Sequence, residues 1–223
     1  NTSAIAAAVA PGTIAANGNA AATNFNPFMP DDINAVMGQE TGYATFNPLE
    51  KGSDTTLSEG NLKAVSTNSS GWESHCSTLN ASTGKWYFET ECVAGSVFSI
   101  GIADASDNIR DLYTTDLSPA YAYNYNGKKY SGGTTDGGTV AESFTAGDTI
   151  GCAFDLDAGT IRFYKNGVDQ GVFFSDVQSG VAYKMAASTR AATVVANFGQ
   201  KPFKYAPPEG FQPLNYANLP SPG

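Results

Sequence analysis

Basic residues, histidine and long apolar runs are what this sequence has least of. Its 223 residues carry 12 Lys and Arg against 21 Asp and Glu, a formal charge of -9. A surface of that sign repels phosphate backbones instead of releasing their counterions, which argues against a nucleic-acid partner. No stretch approaches the roughly 18 to 20 apolar residues a bilayer-spanning helix needs, so membrane insertion is not expected. The Ala-rich start lacks a basic n-region, and the chain begins at Asn1 rather than at Met, as expected of a piece cut from a longer protein. The three cysteines, Cys76, Cys92 and Cys152, lie within apolar strand patterns and not in the even, closely spaced set of a small secreted scaffold. Buried free thiols are the expectation, with one disulfide and a leftover thiol as the alternative.

What is abundant is glycine and aromatic residues, with 24 Gly, 11 Tyr and 13 Phe, the composition of many short strands joined by tight turns. Residues 1–24 hold ten alanines and neither an aromatic residue nor a Lys or Arg, so they read as an extension or arm without a core of its own. Residues 25–70 read as lead-in strands, with a helical turn over Asp31 to Met37 that Gly38 stops. The main body is expected over 71–216, followed by a tail at 217–223. In the run from Gly71 to Thr78, period-two alternation places Trp72, Ser74 and Cys76 on one face and Glu73, His75 and Ser77 on the other. Trp72, at the strand entry, is expected in the core. Lys85 to Val93 alternates likewise, with Trp86, Phe88 and Cys92 opposite Glu89 and Glu91.

Further strands are expected over Val97 to Ala103, Tyr121 to Tyr125, Lys128 to Tyr130, Thr149 to Leu156, Thr160 to Lys165, Val168 to Phe174, Tyr183 to Ser188 and Thr193 to Phe198. Gly132 to Gly138, with no helix behind it, reads as a mobile loop and not as a phosphate cradle. Asn166-Gly167 is the sharpest hairpin signal, because both central residues of a type I′ turn need positive φ. Strands recurring every 8 to 12 residues or so predict an all-β antiparallel sandwich.

Five blocks occur in a telling order: Gly84-Lys85-Trp86-Tyr87-Phe88-Glu89, Ile100-Gly101-Ile102-Ala103, Gly147 to Asp155, Gly159 to Gly167, and Asn197-Phe198-Gly199-Gln200. Together they resemble the SPRY domain over roughly Trp72 to Phe211. The resemblance implies a bent, concanavalin-like jelly-roll sandwich, a non-enzymatic role, and recognition by loops at one end of the sheets. Residues Asn26 to Leu49 are also similar to the lead-in of SPRY-containing structural proteins of tailed phages. That similarity implies a virion component (tail fibre, head fibre or decoration protein) whose partners are other virion proteins and a host-surface protein or glycan. It also implies location in the phage particle. An arm without its own core suits a homo-oligomer.

Ligand-binding residues are expected in the loop after Ala103 and beside the Asn126-Gly127 turn: Arg110, Asp111, Tyr113, Tyr123, Asn124 and Tyr125. Arg110 and Tyr113 are residue types that dominate binding hot spots. Tyr121, Tyr123 and Tyr125 share a face that reads more readily as a core stripe than as a platform. His75 and Cys76 are strand neighbours, so the imidazole faces away from the thiol, and no G-x-S-x-G elbow offers a serine nucleophile. The alternative to a binding module is a glycan-processing enzyme using Glu89 and Glu91, about 7 Å apart on one strand face. Asp155-Leu156-Asp157-Ala158-Gly159 fails the EF-hand pattern, and Asp104, Asp107, Asp111 and Asp116 read as solvated acids rather than calcium ligands. No motif asks for a metal or a cofactor.

Overall fold

The computed structural model describes residues 42–106, 112, 119–132, 134–135 and 138–219. The fold is that of the compact unit Tyr43–Gly223. The expected arm at 1–24 and helical turn at 31–37 lie outside the described residues. The strands are β1 (Phe46–Lys51), β2 (Thr55–Ser58), β3 (Lys63–Ser66), β4 (Glu73–Ala81), β5 (Lys85–Ala94), β6 (Phe98–Asp104), β7 (Ala120–Asn124) and β8 (Lys129–Ser131). They continue as β9 (Thr134–Thr135), β10 (Thr149–Asp155), β11 (Thr160–Lys165), β12 (Val168–Phe174), β13 (Tyr183–Thr189), β14 (Thr193–Asn197) and β15 (Gln212–Pro213). A 3₁₀ turn at Tyr216–Asn218 is the only helical element among the described residues.

Two antiparallel sheets result. One runs β1-β4-β13-β6-β7-β8-β9 and the other β12-β11-β10-β5-β14-β3-β2. β15 lies parallel to the start of β5, pairing Gln212 with Trp86 where β14, whose pairing stops at Asn197 and Glu89, no longer reaches. The lead-in strands are thus part of both sheets, β1 at the edge of the first and β2 and β3 at the edge of the second. Gly132 to Gly138 differs from the expectation of a loop, because Tyr130 and Ser131 pair with Thr135 and Thr134 of β9.

Alternation explains the core. Trp86, Phe88 and Cys92 of β5, Ile150, Cys152 and Phe154 of β10, and Ile161 and Phe163 of β11 face Ile100 and Ile102 of β6, Tyr121 and Tyr123 of β7, and Tyr183 and Met185 of β13. Edge-on aromatic contacts tie the layers together, with Tyr123 4.7 Å from Phe144 and 4.8 Å from Phe173 between ring centroids. Truncating any one of these large rings to Ala costs about 3 to 5 kcal/mol. At the β11–β12 hairpin Asn166 and Gly167 hold φ of 51° and 79°, the two positive values a type I′ turn requires. All three cysteines are buried and free.

Trp72 departs from its expected place. It belongs to neither core cluster and is only half-buried, because it shares the Ser74 and Cys76 face, which points away from the second sheet. There its ring lies 5.7 Å from the Arg190 guanidinium, a cation–π contact. His75, on the opposite face, is the residue that enters the core, edge-on to Phe46 at 5.7 Å.

Candidate functional site

Strand alternation separates the expected binding residues that the structure describes. Tyr123 is fully buried, and its hydroxyl donates to the Glu142 carbonyl. Burial first, and the nearby Glu142 and Asp148 carboxylates next, push its phenol well above the ordinary tyrosine value. Tyr125 is half-buried against the same core, its backbone N–H bonded to the Phe98 carbonyl at 2.9 Å. Asn124 points the other way and is fully buried, its Oδ1 accepting from the Tyr125 N–H at 2.8 Å. Arg110, Asp111 and Tyr113 lie outside the described residues.

The side that Asn124 shares is the outer face of the first sheet, and it is built of small residues. Cys76, Ala103, Ala120, Ala122 and Ala186 form a second buried cluster there, into which Leu112 inserts from the loop after β6. The Leu112 N–H donates to Ser188 Oγ at 2.8 Å, and Ser188 Oγ lies 2.6 Å from Ser74 Oγ. Reading the sequence for conspicuous residues passed over Leu112 and Ser188. The available signal was the outward set itself, because Ser, Gly, Ala and Cys in place of Lys, Glu and Thr mark a face that something covers.

On the outer face of the second sheet an open cavity of about 280 Å³ is lined by Glu89, Glu91, Thr149, Asn197, Lys201 and Lys204 among others. Glu89 is not on a solvated strand face, being only 3% exposed. Its carboxylate accepts from the backbone N–H groups of Lys204 and Tyr205 at 2.8 and 2.9 Å and from the Tyr87 hydroxyl at 3.3 Å. The Tyr87 phenol is driven far upward, by burial first and by Glu89 second, so it stays a donor. Asn197 Nδ2 donates to the Pro202 carbonyl at 3.2 Å, and Lys204 Nζ to Thr149 Oγ1 at 3.2 Å. Glu89 therefore acts as a clamp that holds residues 202–205 over β5. Glycoside hydrolysis instead needs two carboxyl groups free to meet the sugar, one giving a proton and one attacking or activating water.

The remaining reactive groups are equally sequestered. His75 Nε2 lies 3.0 Å from Thr189 Oγ1, and burial, helped by the Lys51 ammonium, lowers its pKa to about 3. Burial pushes the Cys76 thiol up to about 12 and raises Cys92 and Cys152 well above the ordinary thiol value too, which withholds the thiolate a nucleophile requires. In the Asp155 loop, Oδ1 accepts from the N–H groups of Asp157 and Ala158, an acid engaged in its own turn. Among the described residues no group of three or more His, Cys, Asp and Glu side chains could hold a metal ion. None of their helices is long and apolar enough to cross a membrane.

Comparison with known proteins adds the following. A family model described as SPRY domain matches residues 85–201. An ATP-dependent RNA helicase DDX1 of Xenopus laevis is 30% identical over 174 residues, covering 77% of this chain and 23% of that protein. An E3 ubiquitin-protein ligase RKP of Arabidopsis thaliana is 34% identical over 139 residues, 60% of this chain and 11% of that protein. A Ran-binding proteins 9/10 homolog of Drosophila melanogaster is 30% identical over 130 residues, 57% of this chain and 13% of that protein. The chain thus spans less than a quarter of the length of these relatives. Among solved structures, the SPRY domain of human HERC1 superposes with a TM-score of 0.58 at 22% identity, over 70% of this chain and 99% of that one. Stonustoxin does so with 0.53 at 20%, over 70% of this chain and 27% of that one. At those identities the likeness is one of fold.

Proposed function

The chain belongs to the SPRY domain family, and on that premise we propose that it is a non-catalytic module that binds a protein partner. The observation that carries this reading is the state of Glu89, whose carboxylate is engaged by two backbone N–H groups and a phenol. His75 and the three thiols are buried as well, so neither the one imidazole nor any thiol is presented for chemistry. What remains to meet another molecule is surface, and Arg110, Asp111 and Tyr113, residue types that dominate binding hot spots, are assigned to that contact. The Ala-rich residues 1–24 are assigned to assembly, as an arm onto a neighbouring copy or another protein.

The relatives' printed activities, RNA helicase and ubiquitin ligase, belong to far longer proteins and are not carried over. A narrower reading, a component of a phage particle that meets a host surface or other virion proteins, rests on residues 26–49 alone. The three relatives are animal and plant proteins and lend it no support.

A selection of proteome-derived peptides on the purified chain, followed by titration of resynthesised hits, tests the reading. Arg110→Ala and Tyr113→Ala are expected to weaken binding by about tenfold or more, the scale of a hot-spot residue. Equal affinity in both variants would remove the loop from the site. Release of reducing sugar from polysaccharides by the wild-type chain, lost in Glu89→Gln, would overturn the non-catalytic reading.

A further inference from the structure

The cavity on the outer face of the second sheet differs from the rest of the surface in how its charges are paired. Lys63, Lys85, Lys165 and Lys184 each hold a carboxylate oxygen at 3.1 to 3.3 Å, as expected in a chain whose acids outnumber its bases. Glu91 and Lys201 do not. Both line the cavity, yet among the described residues neither has an ion pair or a hydrogen bond, so they do not reach each other.

The surroundings fix both charges in place. Glu91 stands on β5 between its register partners, Thr149 of β10 and Val195 of β14. Lys201 and Lys204 belong to the segment after β14, which is tied down along its length. The Gly199 N–H donates to Asn197 Oδ1 at 3.0 Å, Asn197 Nδ2 donates to the Pro202 carbonyl at 3.2 Å, and the N–H groups of Lys204 and Tyr205 donate to Glu89. Lys204 Nζ is held 3.2 Å from Thr149 Oγ1 and 5.7 Å from the centre of the Tyr205 ring. Glu89 already has three donors. What the cavity offers a ligand is therefore one free carboxylate, two ammonium groups and the apolar sides of Val195 and Pro202.

We propose that this cavity binds a zwitterion of amino-acid size, with the ligand's ammonium group on Glu91 and its carboxylate between Lys201 and Lys204. The lining carries the carboxylates of Glu89 and Glu91 and the ammonium groups of Lys201 and Lys204, so its charges balance. A ligand without net charge but with separated charges meets an opposite charge at each end. An inorganic anion would be repelled by Glu89 and Glu91, and a metal ion or polyamine by Lys201 and Lys204. The volume of about 280 Å³ falls just below the roughly 300 to 1,000 Å³ of pockets for drug-sized ligands, which suits a single amino acid. Because the tied segment sets the charges before the ligand arrives, little ordering is lost on binding. The site uses none of the residues assigned to the protein partner and goes beyond that reading.

The test is a titration of the isotope-labelled 223-residue chain with each of the common α-amino acids, followed through its amide NMR signals. At least one amino acid is expected to bind and to move the signals of Glu91, Val195 and Lys201. Its N-acetyl form, which lacks the ammonium group, and its carboxamide form, which lacks the carboxylate, are each expected to bind about three- to fivefold more weakly, the range of an exposed ion pair. Glu91→Gln is expected to weaken the parent amino acid by the same factor and to leave the N-acetyl form unchanged. Lys201→Gln is expected to weaken the parent and N-acetyl forms and to leave the carboxamide unchanged. Loss of the fold would weaken every form alike, so the selective pattern separates recognition from a structural effect. Absence of any shift at those signals with every amino acid would overturn the site. So would equal affinity of the parent for wild type and Glu91→Gln, or an equal loss for the parent and N-acetyl forms in that variant. Each of these results leaves the protein-binding reading standing.

Discussion

His75 offers a direct test of how the sandwich excludes water. It is the only histidine of the chain, fully buried, with Nε2 3.0 Å from Thr189 Oγ1 and the Phe46 ring 5.7 Å away. Burial, partly opposed by the Ser74 backbone carbonyl and reinforced by Lys51, lowers its pKa to about 3 in the fold, against about 6.5 when the chain is unfolded. Between those values the unfolded state binds one more proton than the folded state. Stability is therefore fully present above about pH 6.5 and is lost as pH falls toward the folded pKa. The slope is about 1.4 kcal/mol per pH unit, so the contribution lost by pH 4.5 is about 3 kcal/mol, and about 4 by pH 3, where the slope flattens at the folded pKa. His75→Gln keeps a polar side chain that cannot take up the proton. Urea unfolding followed by tryptophan fluorescence at pH 7.5, 6.5, 5.5 and 4.5 compares the two proteins. Carboxylates titrate in both and cancel in the difference, and any constant offset at pH 7.5 is set aside. Wild type is expected to lose about 3 kcal/mol more than the variant between pH 7.5 and 4.5. Parallel profiles would refute the argument, because they would mean that the imidazole protonates as freely in the fold as outside it.

Three further outcomes follow from the packing. Glu89→Gln exchanges one acceptor oxygen for an NH₂ facing N–H donors, and a loss of about 1 to 3 kcal/mol with faster amide exchange at Lys204 and Tyr205 is expected; unchanged exchange there would disprove the clamp. Gly167→Ala adds a Cβ at φ 79° and toward the Tyr205 ring, so a chemical-denaturation loss of about 2 kcal/mol is expected, and a loss below about 0.5 would contradict the assigned turn. The buried thiols of Cys76, Cys92 and Cys152 are expected to react with an aromatic disulfide reagent at least about a thousandfold more slowly in the native chain than in denaturant, and prompt native labelling of any one would contradict its burial.

Much of the second sheet was legible in the residues. Period-two alternation from Lys85 to Val93 put Trp86, Phe88 and Cys92 on the core face, and Asn166-Gly167 announced the hairpin that joins β11 to β12. The same alternation set His75 and Cys76 on opposite faces. It did not say which of those faces would be the interior, and Trp72 drew the expectation to the wrong one. An aromatic ring marks apolar surface, but a ring stacked on Arg190 at a sheet's outer side satisfies the same preference without entering the core. β9 was missed because glycine-rich composition hides a two-residue ladder whose register comes from its partner β8.

The candidate sites divide along the same line. That Tyr121 and Tyr123 share a face, and that Asn124 opposes them, follows from the strand period alone, as does the all-β class. What each face meets depends on segments distant in the chain. Glu89 looks like a solvated acid in its own strand and becomes a buried clamp because Lys204 and Tyr205, 115 and 116 residues later, bring their N–H groups to it. Ser99 and Asn124 look unremarkable until register sets them side by side beneath a covered face with no partner for either. Local sequence sorts side chains to the two sides of a strand, a matter of backbone geometry. Only the packing of the second sheet and the returning loops decides which side is dry and which polar groups find partners.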